Sequence, residues 1–283
     1  YGRAFTGSRR LHRDKGELSW NDLEAMLAGF AYDAYCNKSY EAESNYFAVW
    51  EYAIDQGFTY GSGMGTNHHY GYQIRKIYTT AWLMRKAILK SSRRDDILKT
   101  LLFWSALQET RLPCAEIRDE MLDSWNTLLQ PKLIAAMMIP DECGRVQALR
   151  GLSRWVSGSV NCTPGTIGGI KVDGTTFHHG GFYPAYTTGA LATVSDYIAM
   201  TGGTEFVPSL EARRLLAAPL PPCAIIPILQ SGVPGLADAI LSAARWVGRT
   251  SKRLRNWLFP ATYPDRAVSS TMRWLRLSSF DEW

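Results

Sequence analysis

Cysteine is sparse and unpaired in this sequence. Its five residues, Cys36, Cys114, Cys143, Cys162 and Cys223, are scattered with no CxxC among them. That spacing argues against a zinc finger or ribbon and against a dense disulfide framework, and an odd number leaves at least one thiol free. No apolar run approaches the roughly 18 residues of a membrane span. The chain opens at Tyr1 with no signal-peptide pattern, so any export signal is expected either upstream or not at all. There is no HExxH or HxH arrangement, and Gly61-Ser62-Gly63 lacks the flanking spacing of a nucleophile elbow. Metal-dependent and serine hydrolysis are therefore not expected. Charge of one sign is also nearly missing from the main body. Of the net +5, all falls from Arg245 onward, where 8 Lys/Arg face 3 Asp/Glu, leaving 23 of each sign before it. A polyanion cleft in the main body would have to come from local clustering.

What is present is ordinary globular material rich in rings. The 283 residues are 46% hydrophobic, with 10 Trp and 14 Tyr. Such aromatics either fill cores or stack on the apolar faces of sugars. Strand-like alternation is almost absent, whereas helical periodicity recurs. Ser19 or Asn21 is placed to cap a helix whose apolar positions Leu23, Met26, Leu27 and Phe30 follow i, i+3, i+4, i+7. Further helices are expected from about Tyr46 to Gln56 and over 76–90, 95–108, 126–138, 145–156 and 185–200, with one more beginning near Ser209. The fold class expected is all-α, built from antiparallel helical hairpins.

Four of the five histidines form two adjacent pairs. His68-His69 precedes Tyr70-Gly71-Tyr72 after the glycine-rich stretch 61–65, and His178-His179 precedes Gly180-Gly181-Phe182-Tyr183-Pro184-Ala185-Tyr186. Both pairs are expected in loops, where packing gives little reason to hold histidine. A backbone-satisfied loop histidine and a metal site are the competing readings. The imidazoles have no carboxylate near them in sequence except Asp173, and a carboxylate-pair glycosidase has no comparably distinctive acidic loop. A His/Tyr grouping suits β-elimination from a uronic acid. That chemistry needs a neutraliser for the C5 carboxylate, a base for the C5 proton and an acid for the departing O4.

The residues that carry a family resemblance are Asp55-Gln56-Gly57-Phe58 through Thr66-Asn67-His68-His69-Tyr70-Gly71-Tyr72, Asn126-Thr127-Leu128, and Asp173-Gly174-Thr175-Thr176-Phe177-His178-His179 with Tyr183-Pro184-Ala185-Tyr186. Together they resemble the bacterial chondroitin sulfate ABC lyases over roughly residues 20–215. The resemblance implies an incomplete (α/α) toroid, with 1–218 as the catalytic toroid and 219–283 as a divergent basic continuation of it. It implies cleavage of chondroitin or dermatan sulfate, with hyaluronan a further candidate, by a secreted or periplasmic bacterial enzyme. No metal or other cofactor, nucleic acid or membrane is implied as a partner.

Carried across, His179 matches the family's catalytic histidine and Tyr186 its catalytic tyrosine. Tyr186 would be the general acid, and also the base for one uronate epimer, while His179 would serve the other epimer or orient the sugar. His68 falls near the position that faces the uronate carboxylate, with His69 second. Asn67, Tyr72, His178 and Tyr183 complete the expected substrate-binding set. Three departures stand out. His178 occupies a position where the family carries arginine, and a neutral imidazole neutralises a carboxylate less than a guanidinium does. A later arginine in a Gly-Arg-His-Pro context is missing where Pro219-Leu220-Pro221-Pro222 stands. The β-sheet domains that supply a catalytic glutamate and the second cleft wall do not follow before Trp283. These departures keep a second expectation open, a glycosaminoglycan-binding fragment without catalysis.

Overall fold

The computed structural model describes residues 19–113, 121–160 and 162–217. The expected boundary after residue 218, the basic tail and Cys114 lie outside the described residues.

The first helix, α1 (Trp20–Asn37), starts where local chemistry starts it. The Ser19 hydroxyl accepts from the Asp22 amide at 3.2 Å, and the Asp22 carboxylate accepts from the Ser19 amide at 3.0 Å. This reciprocal box satisfies two amides that have no partner within the helix. Leu23, Leu27, Ala31 and Ala34 form the buried stripe. Lys38 ends the helix in the left-handed region at φ 57°, and Ser39 at once caps α2 (Tyr40–Asp55) by accepting from the Ala42 amide at 3.1 Å. The second helix therefore begins six residues before the expected Tyr46. Its first turn holds Glu41 and Glu43, which suit the positive helix end but interrupt any apolar stripe.

Next come α3 (Asn67–Leu83), α4 (Arg85–Lys90) and α5 (Arg94–Trp104), then a 3-10 turn at Leu107–Arg111. A short α6 (Met121–Asp123) runs into a π-helical turn, Ser124–Leu128, and on into α7 (Leu129–Met137). The chain closes with α8 (Glu142–Ser159), α9 (Pro184–Thr201) and α10 (Leu210–Ala217). The architecture is all-α, the incomplete (α/α) toroid of antiparallel hairpins expected. The first histidine pair is not in a loop. It opens α3, because a helix start with no apolar residue in its first turn carries no periodic signal.

Between α8 and α9 the expected loop holds a small antiparallel sheet. Its strands are β1 (Gly169–Ile170), β2 (Thr176–His178) and β3 (Gly181–Phe182), in the order β1-β2-β3. Strands of two or three residues are too short to show alternation. Asp173 serves the β1–β2 turn, its carboxylate accepting from the Thr175 amide at 2.9 Å and the Thr175 hydroxyl at 2.7 Å.

Much of the aromatic content fills the core. Trp50, Trp104, Trp125, Tyr46 and Tyr78 are fully buried. Phe58 lies 5.8 Å from both Trp50 and Trp104, and Tyr70 lies 5.2 Å from Trp104. Two of the buried polar tips have partners: Tyr78 donates to the Leu101 carbonyl at 2.7 Å, and the Trp104 indole to the Thr59 carbonyl at 3.0 Å.

Two helices approach the π-helical turn closely. A Cβ at Gly71 of α3 would stand 2.5 Å from the Thr127 hydroxyl and 2.9 Å from the Leu128 side chain. A Cβ at Gly189 of α9 would stand 2.8 Å from the Asn126 carboxamide oxygen. Both helices thus rest directly on this turn. Gly71→Ala is expected to lower stability by about 1–2 kcal/mol through overpacking, although alanine is the better helix former. Gly29→Ala in α1, where a Cβ meets nothing within 4 Å, is expected to gain roughly 0.5–1 kcal/mol. Thermal unfolding of the two variants checks the contrast.

Candidate active site

Three elements meet to form the site: the start of α3, the segment Met121–Leu128, and the β2–β3 turn leading into α9. Thr66, at the cap position of α3, makes no capping hydrogen bond. Its hydroxyl instead lies 2.8 Å from Nδ1 of the exposed His69. Asn67 is committed to packing, with its amide donating to the Phe103 carbonyl at 2.6 Å. His68, one residue on, turns inward. Its Nε2 lies 3.3 Å from Oε1 of Glu109, and the other oxygen of that carboxylate lies 3.0 Å from Nζ of the fully buried Lys132. Lys132 also donates to the Ser124 hydroxyl at 3.1 Å.

The ionisation of this cluster follows from its burial. Desolvation pushes the Glu109 carboxyl up, but the His68 contact and the Lys132 ammonium outweigh it and bring it down to about 2. Desolvation pushes Lys132 down, opposed by the Glu109 charge. Glu109 is thus a fixed anion beside the His68 ring.

A second cluster centres on Asp123, which is only 2% exposed. Tyr72 reaches it from α3 and donates to Oδ1 at 2.7 Å. Asn126 donates to the Tyr72 oxygen at 3.4 Å. Burial, together with the hydrogen bond to Asp123 and that residue's charge, holds the Tyr72 hydroxyl well above its usual range. Tyr72 is therefore a standing donor near neutrality. From the opposite side His178, at 0% exposure, brings Nε2 to 3.5 Å from Oδ2 of Asp123.

The turn after β2 then stacks the rings. His179 sits in the left-handed region at φ 49°, a conformation that costs free energy for a residue with a side chain. Its ring centroid lies 3.8 Å from that of His178. The Tyr186 ring, in the first turn of α9, lies 4.5 Å from His178 and 6.3 Å from His179. Tyr183, 43% exposed, packs edge-on to Tyr186 at 5.3 Å. Asp123, His178 and His179 each offer a ligand atom, and these atoms lie within 4.8 Å of one another.

So Tyr72, His178, His179, Tyr183 and Tyr186 converge around Asp123. His68 stands in the adjoining Glu109–Lys132 cluster, tied to the same π-helical turn by the Thr127 hydroxyl, which donates to the His68 carbonyl at 3.3 Å. His69 and Asn67 face other partners. The arrangement gathers imidazole and phenol rings, the groups that transfer protons near neutral pH when positioned against a substrate.

Residues 1–220 match the family model described as a lyase catalytic domain. The chain belongs to that family. Among curated relatives, a chondroitin sulfate ABC exolyase of Bacteroides thetaiotaomicron is 32% identical over 174 residues, covering 62% of this chain and 17% of that protein. A chondroitin sulfate ABC exolyase of Proteus vulgaris is 30% identical over 174 residues, covering 62% of this chain and 18% of the relative. A chondroitin sulfate ABC endolyase of Proteus vulgaris is 29% identical over 163 residues, covering 57% and 16%. This member of the lyase family thus spans less than a fifth of the length of each of these relatives.

Sequence reasoning missed the anions of the candidate site. Asp173 was the one carboxylate seen beside the imidazoles, yet the structure engages it in a turn and brings Asp123 and Glu109 to His178 and His68. Lys132 left a signal, a lone cation within the apolar run 128–139. A buried charge of that kind requires a partner. Asp123 and Glu109 left none.

A depressed carboxyl stabilises the fold above its unfolded value and loses that contribution as pH falls through the folded one. Stability should therefore fall by roughly 2–3 kcal/mol as pH drops from about 4.5 toward 2 on account of Glu109. Glu109→Gln should flatten that part of the pH profile. It should also cost about 3–5 kcal/mol at neutral pH, because Lys132 is left buried and unpaired. Denaturant unfolding across pH measures both effects.

Proposed function

We propose that this chain is the helical catalytic portion of a polysaccharide lyase that cleaves uronate-containing glycosaminoglycans, chondroitin and dermatan sulfate, by β-elimination. The observation that carries the reading is the packing of Tyr186 against His178 and His179, beside a tyrosine–aspartate pair donated by another helix. Hydrolysis by a carboxylate pair would call for two carboxyls facing a sugar. The anions of this site instead face histidine, lysine and tyrosine.

In the proposed reaction the exposed His179 takes the C5 proton of the uronate. The electron pair left behind is delocalised onto the C5 carboxylate as an enediolate, which collapses to a C4–C5 double bond as the C4–O4 bond breaks. Tyr186 delivers its hydroxyl proton to O4, and the proton held by His179 then returns through solvent to the Tyr186 phenolate, which restores both groups. His68, backed by the Glu109 anion, stands on the carboxylate side, where its N–H can donate to the enediolate oxygens. Tyr183, exposed next to Tyr186, offers a ring face for the sugar. Hyaluronan, which carries the same uronate without sulfate, is a substrate under the same scheme.

A second reading, binding of the polysaccharide without cleavage, rests on His178 standing where the resemblance expects an arginine. Ultraviolet absorbance of the unsaturated uronate separates the two. The lyase reading expects absorbance to rise on chondroitin and dermatan sulfate. Tyr186→Phe should reduce that rate by roughly 10²–10⁴-fold, while a folded spectrum is retained. Salt-sensitive binding with no absorbance change would leave the binding reading in its place.

A further inference from the structure

His178 is an anomaly by the rules of buried polar groups. Its side chain has no solvent exposure, and neither ring nitrogen makes a hydrogen bond. An imidazole near neutrality carries at least one N–H, and the neutral ring also carries a lone pair, so leaving both nitrogens unsatisfied costs about 1–3 kcal/mol for each. Such a group calls for an explanation, and an ion is one of the recognised ones. For Nε2 the neighbours of His178 supply it. Nε2 faces Oδ2 of the buried Asp123 at 3.5 Å, and His179 is held in a left-handed backbone conformation with its ring stacked 3.8 Å from the first.

We propose that Asp123, His178 and His179 form a binding site for a divalent first-row transition ion, with Zn2+ the best fit. Two ligands each about 2.0–2.1 Å from one tetrahedral ion stand roughly 3.4 Å apart, close to the 3.5 Å between His178 and Asp123. The third ligand atom lies within 4.8 Å of the others and belongs to an exposed side chain, which can close the remaining gap by rotation. Two imidazoles and one carboxylate suit zinc, cobalt or nickel, whereas calcium and magnesium prefer all-oxygen sites. The support around the ligands fits as well. Oδ1 of Asp123 accepts from Tyr72 at 2.7 Å, which is how a ligating carboxylate is commonly oriented by its free oxygen. Three protein ligands leave a fourth position open toward the surface that His179 faces.

The consequence for turnover rests on the lyase reading above. An ion held by the His179 lone pair removes the base, so the metal is an inhibitor that competes with proton abstraction and is not a cofactor. The site itself does not depend on that reading.

Titration of the 283-residue chain with Co2+, followed by visible ligand-field absorption, tests the site directly. One equivalent should give the intense band of a low-coordinate cobalt site, Zn2+ should abolish it by displacement, and Ca2+ should not. His179→Asn keeps a residue that tolerates the left-handed conformation but removes the imidazole, and it should weaken binding roughly tenfold or more. His178→Gln should do the same, and His69→Ala should bind like the parent. Absence of a one-equivalent band, or unchanged binding in both His179→Asn and His178→Gln, overturns the proposal. A band in a chain that yields no unsaturated product supports the site and removes only the inhibition. Lyase turnover without a band overturns the site and leaves the proposed function standing.

Discussion

A carboxylate taken almost wholly out of water needs polar company, and Asp123 accepts a hydrogen bond from one distant part of the chain and is approached by the imidazole of another. Tyr72 arrives from α3, 51 residues earlier, and His178 from β2, on the far side of α8. This requires both neighbours to come unusually close to the segment that carries Asp123, and glycine makes that possible. Gly71 lets α3 rest on Thr127 and Leu128, and Gly189 lets α9 rest on Asn126. The π-helical turn between them is the point where the regular helical ladder gives way, as such turns often do at functional sites. From this junction follow the placement of Tyr186 beside the histidines and the approach of Tyr72 to them.

The Glu109–Lys132 pair is a second buried ionic centre against the same turn. Isolated, a fully buried ammonium would lose its charge or unfold the site. Paired with Glu109 and hydrogen-bonded to Ser124, it persists, and the anion it supports lies against His68. Such a pair adds little net stability over a well-packed apolar substitute. What it does here is present a negative group of fixed ionisation to a histidine that would otherwise be free to turn.

The fold was legible where an apolar stripe recurred, with a side-chain cap marking the start of α1. Ser19 with Leu23 and Leu27 located α1, and the run ending at Met137 located α7. It was not legible where polar residues open a helix, as at Glu41 and at His68-His69, or where strands of two or three residues show no alternation. Of the site, the ring-bearing residues declared themselves, because histidine and tyrosine pairs beside glycine have few structural uses. The anions did not. Asp123 lies within Met121-Leu122-Asp123-Ser124-Trp125, and Glu109 within Gln108-Glu109-Thr110. Nothing in either stretch separates a buried, partnered carboxylate from a solvated one. Only the three-dimensional meeting at the π-helical turn assigns them.

That meeting is open to direct measurement by a double-mutant cycle in unfolding free energy, with Tyr72→Phe and Asp123→Asn made singly and together. If Asp123 is the shared anchor of the two motifs, the two substitutions will be coupled by about 1–2 kcal/mol, as for a buried charge-assisted hydrogen bond. Additive effects, with coupling near zero, would mean that Tyr72 and Asp123 do not meet, and the site as described would not exist.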